Sequence, residues 1–194
     1  MQGLLRNPLA DGSTLGVSSG ASLGAVIALA LGVTVPGSEY GGTMLMAMAF
    51  AFLSLVLILS LAYALDHSLA TNSIILIGVI FSMFISSVIN LILSFLNDQV
   101  RSITFWTMGS LSGTGYAHTR ILSLALLICG GVIFRYAREL NAFAIGEDNA
   151  RHIGVNVRRV KLAILITVSV MIGVCVSIGG SIGFVGLVVP HMAR

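Results

Sequence analysis

Apolar and polar positions along this chain fall into long blocks that predict membrane-spanning helices. Three apolar blocks contain no charged residue, and each is long enough to cross a hydrocarbon core of about 30 Å, which takes roughly 20 helical residues. Backbone in lipid must satisfy its own hydrogen bonds, so the blocks are predicted to be α-helices. The three predicted spans lie at approximately 15–35, 43–65 and 73–96.

Two further apolar blocks predict additional spans. The first is short, but Arg120 and Arg135 at its ends can extend their charged groups outwards and lengthen the usable span. The second is too long for one crossing and too short for two, and Gly179, Gly180 and Gly183 provide a break. The resulting predictions are spans at approximately 119–136 and 160–180, with 183–194 starting a further helix.

The composition places the chain among polytopic membrane proteins. Hydrophobic residues make up 57% of the 194 residues and charged residues only 9%, whereas soluble domains carry about 25% charged residues. So few charges cannot cover a water-exposed surface, and the lipid bilayer is the expected environment. No patch combines Lys and Arg with exposed aromatic residues, so a nucleic-acid partner is not expected.

The distribution of Lys and Arg predicts the orientation of the spans. Six of the ten basic residues lie in segment 135–161, which the positive-inside rule places in the cytoplasm. Counting back through the spans puts 97–120 outside, where only Arg101 and Arg120 are basic, and puts Arg6 inside. The long spans contain no charged residue, which argues against a proton relay and favours an energy source outside this chain.

Small residues form a stripe along the first predicted span. A glycine or alanine occupies every fourth position, so these residues share one helix face and let a second backbone approach closely. Two interpretations are open: generic helix packing, or a compact core of many helices around a pathway. The stripe consists of Gly16, Gly20, Gly24, Ala28 and Gly32.

A polar stripe runs along the third predicted span. Its members recur at intervals of four, so they share a helix face that should contact protein or water rather than lipid. The stripe either forms interhelical hydrogen bonds or lines a conduit for a polar solute, and the sequence leaves both interpretations open. Its members are Ser82, Ser86, Asn90 and Ser94.

The basic segment 135–161 also contains a predicted short helix. Glu147 and Asp148 would lie at its positively polarised N-terminal end, with Gly146 and Gly154 on either side. To orient the chain in the membrane, the segment would need only its positive charge. It also has apolar and small positions, which suit the docking of a protein partner. A protein-docking element is therefore favoured over a purely topogenic loop.

The sequence lacks the motifs typical of enzymes and metal sites. It has no GxxxxGK[ST] sequence for ATP binding, no HExxH and no paired carboxylates. Cys129 and Cys175 lie in apolar blocks and are expected to behave as small hydrophobic residues. We therefore expect no catalytic and no metal-ligating residues, and a membrane-embedded enzyme is poorly supported.

Four sequence motifs follow one another along the chain: RNPLADGSTLGVSSGASLGA (6–25), FWTMGSLSG (105–113), AIGEDNARHIGVNVRR (144–159) and GFVGLVVPHMAR (183–194). In their order and spacing the sequence resembles the FecCD-type permeases over essentially its whole length. These permeases are the membrane subunits of binding-protein-dependent ABC importers for iron-siderophores, haem and cobalamin.

The resemblance implies an all-α, polytopic transmembrane helical bundle of the type II ABC importer permease kind. About five or six of the family's ten spans would be present, in a single permease domain over 1–194 that is incomplete at both ends. The chain is therefore expected to be a fragment. The resemblance implies that the residues of the polar stripe are candidates for lining the translocation path. It also implies an external mouth that comprises Trp106, Gly109 and Ser110. The implied ATPase-coupling loop comprises Ala144, Gly146, Glu147, Asp148, Ala150, Arg151, Gly154 and Val155.

The function that the resemblance implies is that of a permease subunit in an ATP-driven importer, with an iron(III)-siderophore as the expected solute. The alternatives are a cobalamin or haem importer permease, and a nonfunctional or structural membrane remnant. Implied partners are a second permease subunit, in a homodimer or heterodimer, cytoplasmic ATPase subunits and an extracytoplasmic solute-binding protein. The implied location is the bacterial cytoplasmic membrane. ATP would be bound by the ATPase subunit, and this chain is expected to bind no cofactor.

Overall fold

The computed structural model of the chain describes residues 2–5, 7, 11–12, 14–36, 41–65, 70–96, 99–112 and 114–193. Regular structure within these ranges is helical, without a β-strand. The motif residues that lie outside the described part of the chain are Arg6, Pro8, Leu9, Ala10, Ser13, Gly113 and Arg194, and the side chain of Ala144 is also not described. The helices are α1 (Gln2–Leu5), α2 (Val17–Leu31), α3 (Gly41–Leu65), α4 (Thr71–Phe95), α5 (Val100–Met108), α6 (Tyr116–Arg135), α7 (Ala137–Ile145), α8 (Glu147–His152), α9 (Val157–Gly179) and α10 (Val185–Met192).

Four helices in the described part of the chain are long and apolar enough to cross a membrane: α3, α4, α6 and α9. Each corresponds to an apolar block of the sequence, because only a helix satisfies its backbone within one uninterrupted apolar segment. The predicted all-α, polytopic bundle is therefore confirmed.

Helix α2 is shorter than the first predicted span at 15–35. It has 15 residues, whereas a crossing takes roughly 20. Glycines in the left-handed conformation set both of its limits: Gly16, with φ 72°, precedes the helix, and Gly32, with φ 63°, follows it. The Gly32 N–H donates to the carbonyls of Ala28 and Leu29 and so closes the last turn.

The small-residue stripe of α2 packs against α3. A Cβ atom on Gly24 would lie 2.8 Å from the carbonyl carbon of Met46 and 2.8 Å from Cβ of Phe50. The two backbones are therefore closer than any residue larger than glycine would allow at this position. Buried members of the stripe are Gly16, Gly20, Gly24 and Ala28, whereas Gly32 is exposed.

Helix α9 is the central helix of the described bundle. It packs against α2, α3, α6 and α8, and Ile164 and Leu165 are among its buried side chains. Helix α6 lies at the periphery, where Leu127 is 74% exposed and Phe134 is 82% exposed. An apolar surface of this kind suits lipid or neighbouring transmembrane helices rather than water.

The chain breaks between α9 and α10 at the predicted glycines. Helix α9 ends at Gly179, and Gly180 adopts φ 71°. Phe184, with φ 64°, precedes α10, which has 8 residues and lies within the predicted segment 183–194. The last apolar block is thus one spanning helix, a turn and the short helix α10.

Candidate functional site

The predicted docking segment folds as two short helices, α7 and α8, joined at a single residue. Gly146 has φ 135° and ψ 152°, a backbone conformation that favours glycine. Glu147 and Asp148 occupy the first turn of α8, and Arg151 lies in the last. Acidic groups at the start and basic groups at the end of a helix complement its dipole. Helix α8 is therefore the short helix that the sequence predicts.

Helix α8 has one buried side and one exposed side. Gly146 and Ala150 are buried, and Val155 after the helix is half-buried. Asp148, Arg151 and Gly154 are exposed. The Arg151 guanidinium lies 3.9 Å from the Asp148 carboxylate, and an exposed pair of this kind contributes about 0–1 kcal/mol. The exposed side is therefore available to a partner, while the buried side attaches α8 to the bundle.

A buried ion pair attaches α8 to the spanning helices. Lys161, in α9, is 1% exposed, and its Nζ donates to Oε1 of Glu147 at 2.6 Å. Thr71, the first residue of α4, donates its hydroxyl to the same oxygen at 3.1 Å, and Lys161 Nζ lies 3.4 Å from Thr71 Oγ1. We call these three residues the Lys161 cluster. It joins α8, α9 and α4 at one point.

Sequence reasoning missed the Lys161 cluster. It counted Lys161 only as one of the basic residues that orient the chain, because a lysine at the start of a span normally extends its ammonium group towards water. No spacing rule pairs residues 147 and 161 or brings Thr71 to them. The one available signal is the position of Lys161 directly before the apolar residues 162–166.

An open cleft of about 460 Å³ lies along α4. The cleft contains Ser82 and Ser86 of the predicted polar stripe, whereas Asn90 and Ser94 are not among the described residues that line it. Ser94 donates its hydroxyl to the carbonyl of Leu91 in its own helix at 2.7 Å. The described lining is neutral, and consists of Thr14, Val79, Ser82, Met83, Ser86 and Ser87.

The loop that contributes Thr14 is held firmly against α4. The Thr14 N–H donates to the Asp11 carboxylate at 3.1 Å, and the Thr14 hydroxyl donates to the Asp11 carbonyl at 2.8 Å. Gly78 of α4 allows the close contact, because a Cβ atom there would lie 3.0 Å from the Leu15 carbonyl carbon. Thr14 of the first sequence motif therefore lines the cleft opposite the residues of α4.

The predicted mouth residues come together at the far end of α9. Helix α5 ends at Met108, and Gly109 after it has φ 74°. The Ser110 N–H donates to the Gly179 carbonyl at 2.9 Å. A Cβ atom on Gly180 would lie 2.5 Å from the Trp106 carbonyl oxygen and 2.8 Å from Gly109 Cα. The sequence suggested Trp106, Gly109 and Ser110 but not their glycine partners, Gly179 at the end of α9 and Gly180 directly after it.

Other polar side chains show structural roles. The Gly115 N–H donates to Nδ1 of His118 at 3.2 Å, which caps the start of α6. Histidine, cysteine and carboxylate side chains form no group of three or more anywhere in the described ranges. The chemistry of the described sites is therefore neutral hydroxyl groups at the cleft and one buried ion pair at α8.

Comparison with known proteins identifies the family. A sequence model of the FecCD transport family matches residues 1–194. The chain is 41% identical over 196 residues to YvrB, an uncharacterized ABC transporter permease protein of Bacillus subtilis (strain 168), covering 100% of this chain and 55% of that protein. It is 34% identical over 194 residues to the cobalamin import system permease protein BtuC of Halobacterium salinarum, covering 100% and 51%.

A solved structure shows the same fold. It is an inward-facing conformation of an ABC transporter assigned to the metal-chelate type, with a TM-score of 0.90 and 27% sequence identity, covering 100% of this chain and 60% of that chain. The chain spans about half the length of the curated relatives that it matches. The four spanning helices identify a multi-pass membrane protein, and the family match over the whole sequence shows that this chain belongs to the FecCD transport family.

Proposed function

We propose that this chain is part of the membrane-spanning permease subunit of an ATP-driven, binding-protein-dependent importer in a bacterial cytoplasmic membrane. The observation that carries the proposal is the placement of α8, which is attached to two spanning helices on one side and exposed on the other. When a bound cytoplasmic ATPase changes conformation, a helix in this position can be displaced and can displace the spanning helices to which it is attached. Membership of the FecCD transport family supports the same function.

The proposed ATPase-binding surface is the exposed side of α8. Asp148, Asn149 and Arg151 offer charged and amide groups there, and polar groups of this kind are typical of reversible interfaces. ATP binds to the ATPase subunit, and this chain binds no cofactor. A second permease subunit, identical or different, would complete the pathway, and an extracytoplasmic binding protein would dock near the mouth formed by α5.

For the solute we propose an iron(III)-siderophore. The cleft along α4 has hydroxyl and thioether groups and no carboxylate among its described lining residues. A bare divalent cation would require several oxygen ligands, carboxylates among them, whereas a chelate shields the charge of its metal. The neutral lining therefore supports a chelated metal. Cobalamin and haem share this property and are the alternative solutes.

Uptake measurements test the proposal. Cells that lack their own importers and express the complete transporter containing this chain receive one of three radiolabelled probes: an iron(III) trihydroxamate siderophore, cobalamin or haemin. We expect siderophore uptake that disappears when the P-loop lysine of the ATPase is substituted. Uptake of cobalamin or haemin alone would contradict the proposed solute. Uptake of none, with the complex assembled, would contradict transport and favour a structural remnant.

A substitution after α8 tests the coupling role directly. Gly154 has φ 87° with no atom near its Cβ position. Gly154→Ala therefore acts only by destabilising the left-handed backbone conformation, at a cost of about 1–2 kcal/mol. We expect the variant to reduce the amount of solute taken up per ATP hydrolysed. Gly183→Ala, also free of neighbouring atoms and without the left-handed conformation, is the matched control. Equal coupling in the two variants would contradict the coupling role.

A further inference from the structure

We propose, on the basis of the function proposed above, that Lys161 is a positioning residue that fixes α8 to α9 and α4 so that the three helices move together. The Lys161 ammonium group and the Glu147 carboxylate meet inside the bundle, and Thr71 completes the contact from α4. The ion pair therefore lies where a displacement of α8 would reach the helix that lines the cleft.

Burial makes the ion pair difficult to separate. Lys161 is 1% exposed and Glu147 is 25% exposed. Removing one partner from a buried pair leaves an uncompensated charge, which costs far more than the loss of an exposed pair. Moving α8 away from α9 would break the 2.6 Å contact between Lys161 and Glu147, so the two helices are expected to move as one body.

Membrane topology does not explain why Lys161 is buried. Arg158 and Arg159 lie in the same turn of α9 and are exposed, and the Arg158 guanidinium lies 4.8 Å from the centre of the Tyr63 ring. These two residues already supply positive charge at the cytoplasmic end of the helix. The burial of a third basic side chain against α8 indicates a different role, which is to hold α8 in place.

Thr71 extends the connection to the cleft. It is the first residue of α4, and this helix continues without interruption to Phe95. Ser82 in the cleft lies about 16 Å further along the helix, at 1.5 Å per residue. A helix of this length transmits a displacement of its first turn as a rigid element. Movement of α8 should therefore displace the cleft wall through Thr71.

Hydrogen exchange in the assembled transporter tests the positioning role without requiring transport. In Lys161→Met we expect the backbone amides of 146–155 to exchange about 100-fold faster, the effect of breaking a buried ion pair. Arg159→Met, which removes an exposed charge from the same turn, is the matched control and should leave exchange unchanged. Equal exchange of 146–155 in the two variants would overturn the proposal.

A milder variant covers the case in which Lys161→Met does not assemble. Thr71→Val keeps the shape and the ion pair but removes one hydroxyl. Loss of one hydrogen bond predicts roughly fivefold faster exchange of 146–155. Exchange within experimental error of the unsubstituted protein would overturn the proposal.

The functional readout separates positioning from general stability. In Lys161→Met we expect uptake of the radiolabelled iron(III) trihydroxamate siderophore per ATP hydrolysed to fall by at least about tenfold, while the ATPase rate changes by less than about twofold. A parallel fall of uptake, ATPase rate and thermal midpoint would identify a merely structural lysine and overturn the proposal. A complete absence of uptake by the unsubstituted transporter would contradict the proposed function, while the exchange measurement would still decide the role of Lys161.

Discussion

The contact between α2 and α3 provides a quantitative test of the packing, through the substitution Gly24→Ala. The added Cβ would meet the Met46 backbone and lie 2.8 Å from Cβ of Phe50. Real Cβ atoms essentially never approach another heavy atom within 3.0 Å. Backbone cannot rotate away as a flexible side chain can, so the two helices must separate slightly along their whole contact.

Two opposing effects determine the magnitude for Gly24→Ala. Overpacking of a tight interior costs about 1–3 kcal/mol, and replacing glycine by alanine inside a helix returns about 0.5–1 kcal/mol. The net loss therefore lies between about 0 and 2.5 kcal/mol. For a domain of this size each kcal/mol shifts the thermal midpoint by about 2–4 °C, so the expected decrease is at most roughly 10 °C.

The assay is the thermal midpoint of the purified full chain in detergent, followed by fluorescence-detected size-exclusion chromatography. Gly130→Ala is the matched control, because Gly130 is also inside a helix and its Cβ position has no atom within 4 Å. We expect the control to retain or slightly raise the midpoint. A midpoint for Gly24→Ala equal to or above that of Gly130→Ala would refute the close contact between α2 and α3.

Two further predictions concern the mouth and the cleft. Gly180→Ala should displace α5, because Gly180 combines φ 71° with close contact to the Trp106 carbonyl. The chain has one tryptophan, so acrylamide quenching of its fluorescence should increase relative to Gly183→Ala. Equal quenching in the two variants would contradict the prediction. Ser86→Leu should lower siderophore uptake because the larger side chain narrows the cleft. Ser94→Leu, which lies outside the described lining, should leave uptake unchanged. Equal uptake by the two variants would contradict the role of the cleft as the pathway.

The spanning helices could be predicted from the sequence because their signal is local. A charge-free apolar segment of 20 or more residues has one stable structure in lipid, and α3 and α4 follow directly from it. The ends of α2 were harder to predict from the sequence, because a glycine can lie within a helix or terminate it. Gly24 continues α2, whereas Gly32, with φ 63°, ends it.

The candidate site was only partly predictable because its contacts join distant parts of the chain. Spacing by four groups Ser82, Ser86, Asn90 and Ser94 on one face of α4, and the described lining of the cleft contains the first two of them. Burial of Lys161 depends on where α8 packs. The contact between Gly109 and Gly180 depends on how α5 returns to α9. Tertiary packing decides each of these, and a periodic pattern does not encode it.

The most direct test of the account is the sidedness of α8. A cysteine is introduced at Asn149, which is exposed, in a variant whose Cys129 and Cys175 are replaced by alanine, and cells are treated with a membrane-impermeant maleimide. A cysteine at Ser112, exposed beyond the other end of the spans, is the control. The account predicts that intact cells label position 112 but not 149, and that inside-out vesicles label 149. Labelling of position 149 in intact cells would contradict it.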